Sequence, residues 1–245
     1  MQTRIRMEGV DERVVVGLVE AFGVVPGPAT QALTDGLDAL LGLRAEQETF
    51  PPPELKDGIR ALLRAGGYKP SGRGKPASEY LAAVARKGTF PRISNLVDVL
   101  NRYSLLTGLP ISLLDLDRAL EAPDDGLVIR LGTDGESYAF NASGQLIDVQ
   151  GLLCVARESV AREGVAREGG APIGNAVKDS LVARTNDETR NVLAVIWCSR
   201  DVAPADVVER MAQQLGAQFV EYAGADRFTA RVLAAEEGSP PGAAE

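Results

Sequence analysis

The spacing of apolar residues changes twice along the 245-residue chain. Residues 13–25 (RVVVGLVEAFGVV) are almost continuously apolar and β-branched, the pattern of a strand buried on both faces. A short strand is expected before it, at residues 4–8. The period then becomes helical. Leu33, Leu37, Leu40 and Leu41 predict a helix over 28–41. A second, over 54–64, follows the rigid Phe50-Pro51-Pro52-Pro53 break and ends at Ala65-Gly66-Gly67; a third, over 77–87, turns Leu81 and Val84 inward. From residue 126 the texture is that of strands: 126–131, 137–140 and 146–155, separated by turn clusters at 132–135 and 141–144, predict a meander. Residues 191–197 (NVLAVIW) predict another buried strand, 203–215 an amphipathic helix and 228–233 an edge strand. The expected class is α+β, a mixed or antiparallel sheet packed with helices on one side. A single unit over 1–235 is expected, because 13–25 is too apolar to stand without the later strands, with a disordered Gly/Pro/Ala/Glu-rich tail at 236–245.

Between these textures lies the stretch 90–115, FPRISNLVDVLNRYSLLTGLPISLLD. Ile93, Leu96, Val97 and Leu100 recur at helical spacing, Pro91 suits the start and Gly108-Leu109-Pro110 the stop. Asn95, Asp98 and Asn101 share the adjacent stripe. Short polar side chains are poor helix formers, so the stripe is either a solvated face or one kept for function.

Composition narrows the chemistry. Apolar content is 45% and charged content 24%, both ordinary for a globular protein. No apolar run approaches the roughly 18 residues of a membrane span, and the first residues lack the apolar core of a signal peptide. A cytoplasmic protein with no membrane partner is expected. Cys154 and Cys198 lie in apolar runs and are expected as buried free thiols. There is no histidine, which removes His-dependent triads and the usual zinc sites. No metal and no cofactor is expected; carboxylates, lysine, hydroxyls and backbone dipoles must carry any reaction.

Net charge is −8, yet residues 56–102 hold ten Lys/Arg against three Asp/Glu. Such a block fits either a phosphate-facing surface or helices whose acidic partners lie elsewhere. Within it, residues 68–76 (YKPSGRGKP) form a glycine- and proline-rich basic loop whose backbone can approach a phosphate, although P-loop order is absent. Lys69, Arg73, Lys75, Arg86, Lys87 and Arg92 are the candidate RNA-binding residues. Three near-copies of one pentapeptide, VARES, VAREG and VAREG, begin at Val155, Val160 and Val165. Removing two copies runs the preceding strand directly into the next glycine motif, so 156–168 is expected to be a loop expansion without chemistry of its own.

Two segments carry a family resemblance. Ile93-Ser94-Asn95-Leu96-Val97-Asp98-Val99-Leu100-Asn101, with Gly108-Leu109-Pro110 and Asp115, resembles the I-N-x-V-V-D-x-x-N … G-Q-P-x-H-x-x-D segment of the B3/B4-type editing domain of the bacterial phenylalanyl-tRNA synthetase β subunit. Downstream, Gly169-Gly170-Ala171-Pro172-Ile173-Gly174 and Asn186-Asp187-Glu188-Thr189-Arg190-Asn191-Val192-Leu193 resemble that family's G-G-x-x-G and D-x-T-x-N-x-L. The likeness spans 68–198, and no other synthetase part is visible. It implies a free-standing editing-type domain acting on the aminoacylated 3′ end of tRNA, with no DNA partner.

The resemblance assigns residues as follows. Asn95 matches a pocket asparagine, and Asn95→Ala should cut turnover about 10²-fold with little loss of stability. Asp98 and Asn101 match family positions suited to bracing the backbone, Asp98 also being taken to the substrate side. Ser112 stands where the family has a pocket histidine, and Leu109 where it has glutamine, which speaks against tyrosine as the edited residue. Gly169, Gly170, Pro172, Gly174 and Asn175 would bring backbone N–H groups to the ester as an oxyanion-stabilising loop. Lys178, Asp179 and Ser180 follow. Lys178 could contact phosphate or the ester, or form a Ser–Lys pair with Ser180. Thr189 completes the substrate set. The ester is already activated, so positioning water and stabilising charge suffice without histidine. Two functions stand: a trans-acting aminoacyl-tRNA deacylase, and a non-catalytic tRNA- or amino-acid-binding module that keeps the pocket. For the deacylase the helix from Ile93 should meet 169–180 across a cleft, with Asn95 and Ser112 facing Gly170, Gly174 and Lys178; Asn95 far from Gly174 would leave the binding module in front.

Overall fold

A computed structural model describes residues 2–120, 122, 125–158 and 170–235. Gly169, most of the pentapeptide repeat and the tail 236–245 lie outside these residues. The class is α+β, with antiparallel and parallel strands.

The chain begins with β1 (Ile5–Met7) and the nine-residue β2 (Val14–Phe22), whose first eight residues are buried. Four helices follow: α1 (Gln31–Ala45), α2 (Pro53–Arg64), α3 (Ala77–Arg86) and α4 (Asn95–Thr107). The chain then enters β3 (Ile111–Asp115) and the single-turn α5 (Leu116–Ala119). Four short strands come next: β4 (Leu127–Leu131), β5 (Ser137–Ala139), β6 (Leu146–Asp148) and β7 (Leu153–Arg157). The chain closes with β8 (Pro172–Asn175), β9 (Asn191–Ser199), α6 (Ala205–Ala223) and β10 (Arg227–Ala234).

Two four-stranded sheets result. One runs β10-β2-β9-β3 and is antiparallel throughout. The other runs β1-β4-β7-β8, with β1 parallel to β4 and the remaining pairs antiparallel. The near-continuous apolar sequence of β2 has a direct cause. Its Val16 and Leu18 join Trp197 and Val195 of β9 in packing against Ile129, Leu153 and Val155 of the second sheet. Its Val15 and Val19, with Ile196 of β9, pack against Leu96, Val99 and Tyr103 of α4 and Leu215 and Phe219 of α6. Alternate residues thus serve two different cores, one helical and one sheet-like. Among the described residues no helix is long and apolar enough to cross a membrane.

The expected meander is not what forms. The run 146–155 is cut at Gly151, which takes φ +67°. The first part pairs with β5 as a separate hairpin, and the second crosses to lie between β4 and β8. A Cβ on Gly151 would meet the Gly66 carbonyl oxygen at 2.0 Å, and one on Gly66 would meet that of Gly151 at 2.2 Å. The end of α2 therefore lies backbone to backbone on this turn, and neither position has room for a side chain. The start of the repeat is not a loop, contrary to the expectation for 156–168. Val155, Ala156 and Arg157 of its first copy belong to β7, and Glu158 bridges Arg4 at 2.8 Å and Arg6 at 2.7 Å. That part of the copy is structural: it belongs to the second sheet, and Glu158 clamps Arg6 of the sheet's edge strand β1 and Arg4 just before it.

Candidate functional site

α4 opens differently from the sequence pattern. Ile93 lies outside the helix and is 57% exposed, because Ser94 is the N-cap, its hydroxyl accepting from the Val97 N–H. The Asp98 carboxylate reaches back to accept the Ile93 N–H at 3.0 Å, holding the residue before the N-cap against the first turn. Burial raises the Asp98 carboxyl above its ordinary range, against the pull of that bond. Asp98 thus braces the helix start. Asn95, Asp98 and Asn101 are all buried, so their stripe is no solvated face. The helix ends at Gly108, which adopts φ +79°.

The first turns of α4, the outer edge of β3 and residues 178–187 enclose a cleft of about 400 Å³. Leu96, Leu100, Ile111 and Leu113 give it apolar walls; Asn101, Lys178, Asp179 and Ser180 line it as well. Asn101 is 7% exposed, and its side chain makes no hydrogen bond with the described residues.

The turn that carries Lys178 and Asp179 is fixed by Asn175, at the end of β8. The Asn175 carboxamide oxygen accepts the N–H groups of Val177 and Lys178 at 2.8 and 2.9 Å, an Asx turn. Its amide donates to the Tyr138 hydroxyl, which donates to the Lys178 carbonyl at 2.6 Å. So held, the Asp179 carboxylate accepts the Leu113 N–H at 3.0 Å and the Asn175 N–H at 3.3 Å. Leu113 can donate because β3 is an edge strand. Gly174 makes room: a Cβ there would come within 2.9 Å of an Asp179 oxygen and 3.0 Å of the Leu114 side chain. The Lys178 ammonium stands 3.8 Å from the centre of the Phe140 ring, a cation–π contact.

Electrostatically, Asp179 is the outlying group. It lines the cleft and keeps part of its surface open there; desolvation by the surrounding fold pushes its carboxyl up to about 7, opposed by the Leu113 and Asn175 N–H groups. The Lys178 ammonium is lowered, first by burial and then by Arg73. The Ala77 N–H donates to the Ala176 carbonyl at 2.9 Å, docking the start of α3 on the same turn. The basic loop and the cleft are therefore neighbours.

The raised carboxyl has a testable sign. The folded state keeps the Asp179 proton up to about 7, whereas the unfolded chain releases it near 3.8. Between those values the folded state binds more protons, so this group's contribution to stability falls as pH rises and levels off above the window. In urea melts across pH, Asp179→Asn should remove that decline; a stability difference from the parent that stays constant with pH would contradict it.

The remaining predicted residues are placed as follows. Asn95 does not line the cleft: its amide donates to the Val25 and Tyr222 carbonyls at 2.9 and 3.4 Å, and its oxygen accepts from Gly27 at 3.0 Å. Ser112 is fully buried below Asp179, accepting from the Trp197 indole N–H and donating to the Asn175 carbonyl, both at 2.9 Å. Its hydroxyl closes a layer of the core. The Ser180 hydroxyl caps a short helical turn by accepting from Val182 at 3.3 Å, and Lys178 lies on Phe140, so no Ser–Lys pair forms. Thr189 donates to Asp115 at 2.6 Å, pinning the loop before β9 to the end of β3. Gly170 packs on the Arg157 carbonyl, where a Cβ would clash at 2.0 Å, and Pro172 starts β8; neither lines the cleft. Lys69, Arg73, Lys75, Arg86 and Lys87 are exposed and make no ion pair with the described residues. Arg92 is spent on Asp38, and Arg86 lines a second groove, of about 210 Å³, beside Glu48, Asp57 and Glu79.

Sequence reasoning gives Asn101 only a bracing role and passes over Phe140 and Arg184, which also line the cleft. The polar run Arg184-Thr185-Asn186-Asp187 is a usable signal; nothing in the sequence marks Phe140. Among the described residues no three Cys, Asp or Glu side chains converge as a metal site. Compared with known proteins, the chain matches no family model and no curated sequence.

Proposed function

We propose that the cleft receives the aminoacyl ester at the 3′ end of a tRNA and that the protein is a trans-acting deacylase working in the cytoplasm, as its resemblance to the B3/B4 editing domain implies. The observation that carries this reading is the apposition of α4 and the 178–187 segment, far apart in sequence, around a cleft beside the basic loop. Its size suits a small ligand. The apolar walls would take the amino-acid side chain. Asn101 and the Lys178 ammonium would meet the polar part of the ester, the ammonium favouring the charge that develops on its carbonyl oxygen. Water is the attacking group in this reading, since the Ser180 hydroxyl is a cap. Such an activity removes errors that a synthetase pocket rejects only about a hundredfold.

A second reading, a binding module without chemistry, is favoured by one observation: Asn95 and Ser112 are consumed by structural hydrogen bonds. A panel of mischarged tRNAs decides. At least one should lose its amino acid about 10²-fold or more above the spontaneous rate. Binding of tRNA with no acceleration on any member would leave the module.

A further inference from the structure

We propose that the Asp179 carboxylate anchors a ligand ammonium group, so that the cleft selects aminoacyl groups whose α-amino group is free. This rests on the reading of the cleft as an aminoacyl-ester site and adds how that site would tell one class of ester from another.

Both Asp179 oxygens accept a backbone N–H, from Leu113 and from Asn175, which fixes the carboxylate and leaves lone pairs for a further donor. No lysine or arginine among the described residues pairs with it: the neighbouring Lys178 ammonium is held over Phe140. A half-buried carboxylate on the cleft wall, held by backbone donors and with no cation of its own, is what a ligand cation completes, since a charge drawn partly out of water gains from a partner of opposite sign. Burial alone favours the neutral acid here, and an arriving ammonium reverses that balance. The second observation is Asn101, over nine-tenths buried and without a side-chain hydrogen bond to the described residues, lining the same cleft. An α-ammonium on Asp179, with the ester carbonyl or ribose hydroxyl on Asn101 and the side chain on the apolar wall, would give both of these groups a partner. An N-acylated aminoacyl group has no cation to offer.

The test uses 3′-aminoacylamino-3′-deoxyadenosine, an amide in place of the ester, with a small, an aliphatic and an aromatic side chain. Each is compared by calorimetry with its N-acetyl form and with the free amino acid. At least one free-amine analogue should bind, and acetylation should weaken it about 30-fold or more, as loss of a desolvated charge pair does. Asp179→Asn should bring the two forms together. Equal binding of both forms to the parent, no binding of any analogue, or a free amino acid binding as tightly as its analogue would overturn the proposal. The comparison on the parent protein needs no variant, so misfolding of Asp179→Asn cannot hide the answer. Deacylation of N-acetylated and free aminoacyl-tRNA at equal rates would remove the anchor and leave the deacylase. Selective binding without deacylation would do the reverse.

Discussion

Replacing Asn95 by alanine is expected to destabilise the fold by about 3 kcal/mol and to leave the activity of each folded molecule unchanged. The family resemblance alone implies the opposite, a loss of turnover with stability intact. Asn95 is 6% exposed. Its carboxamide joins three parts of the chain at once: the Gly27 N–H and Val25 carbonyl of the loop after β2, and the Tyr222 carbonyl near the end of α6. Its own backbone N–H donates to the Gly27 carbonyl at 2.8 Å, so the first residue of α4 is bonded to that loop from both sides. Alanine keeps the backbone bond and strands the Gly27 N–H and Val25 carbonyl, each costing about 1–3 kcal/mol where water cannot replace the missing partner. Asn95→Asp should not restore the stability: it keeps the acceptor for Gly27 but sets a carboxylate oxygen against the Val25 and Tyr222 carbonyls. Urea denaturation read by circular dichroism gives the stability, and deacylation or ligand binding normalised to the folded fraction gives the activity. Unaltered stability with abolished activity would return Asn95 to the reaction.

The placement of Asn95 separates what the sequence carries from what it does not. The unusual Asn95-Asp98-Asn101 stripe is legible, because three short polar side chains on a packed helix contradict helix propensity. Their separate tasks are not. Asn95 and Asp98 are used up by backbone groups, and only Asn101 remains for the cleft, a division set by where the Val25–Gly27 loop and α6 come to lie. The two central strands are readable for the reason that makes them strands, burial on both faces by two cores. β3 escapes a reading by pattern: its five residues follow a helix stop directly and offer too few alternations to register. Residues of β8 pass for a glycine loop, since a four-residue strand containing Pro172 and Gly174 has no strand composition. The cost of Gly174 in propensity is met by the space it gives Asp179. Charge is legible as a sum over the basic block and not as pairs, because the Asp38 that neutralises Arg92 comes from α1.

Replacing Lys69, Arg73 and Lys75 together by alanine should weaken tRNA binding about 10-fold to 100-fold at moderate salt and make its salt dependence shallower by about 2 in the log–log slope. These three lie on the loop that docks, through Ala77 and Ala176, on the turn carrying Lys178 and Asp179, and Arg73 is close enough to depress the Lys178 ammonium. None pairs with a described acidic residue, so their charges are available to phosphate. Every phosphate left without its basic side chain keeps its condensed counterion, and the slope falls by a fixed amount, which is why the salt series is more informative than a single affinity. Arg86→Ala with Lys87→Ala is the internal comparison. These residues stand at the far end of α3, about 15 Å along its axis, and Arg86 shares its groove with Glu48 and Asp57, whose charges oppose a polyanion, while Glu79 there is paired with Arg60. The double variant should therefore change affinity and slope less than the loop variant does. The reverse ranking would move the RNA surface to the second groove and detach the basic loop from the cleft. Unchanged binding in both, with circular dichroism showing the fold intact, would take tRNA off this face of the protein altogether.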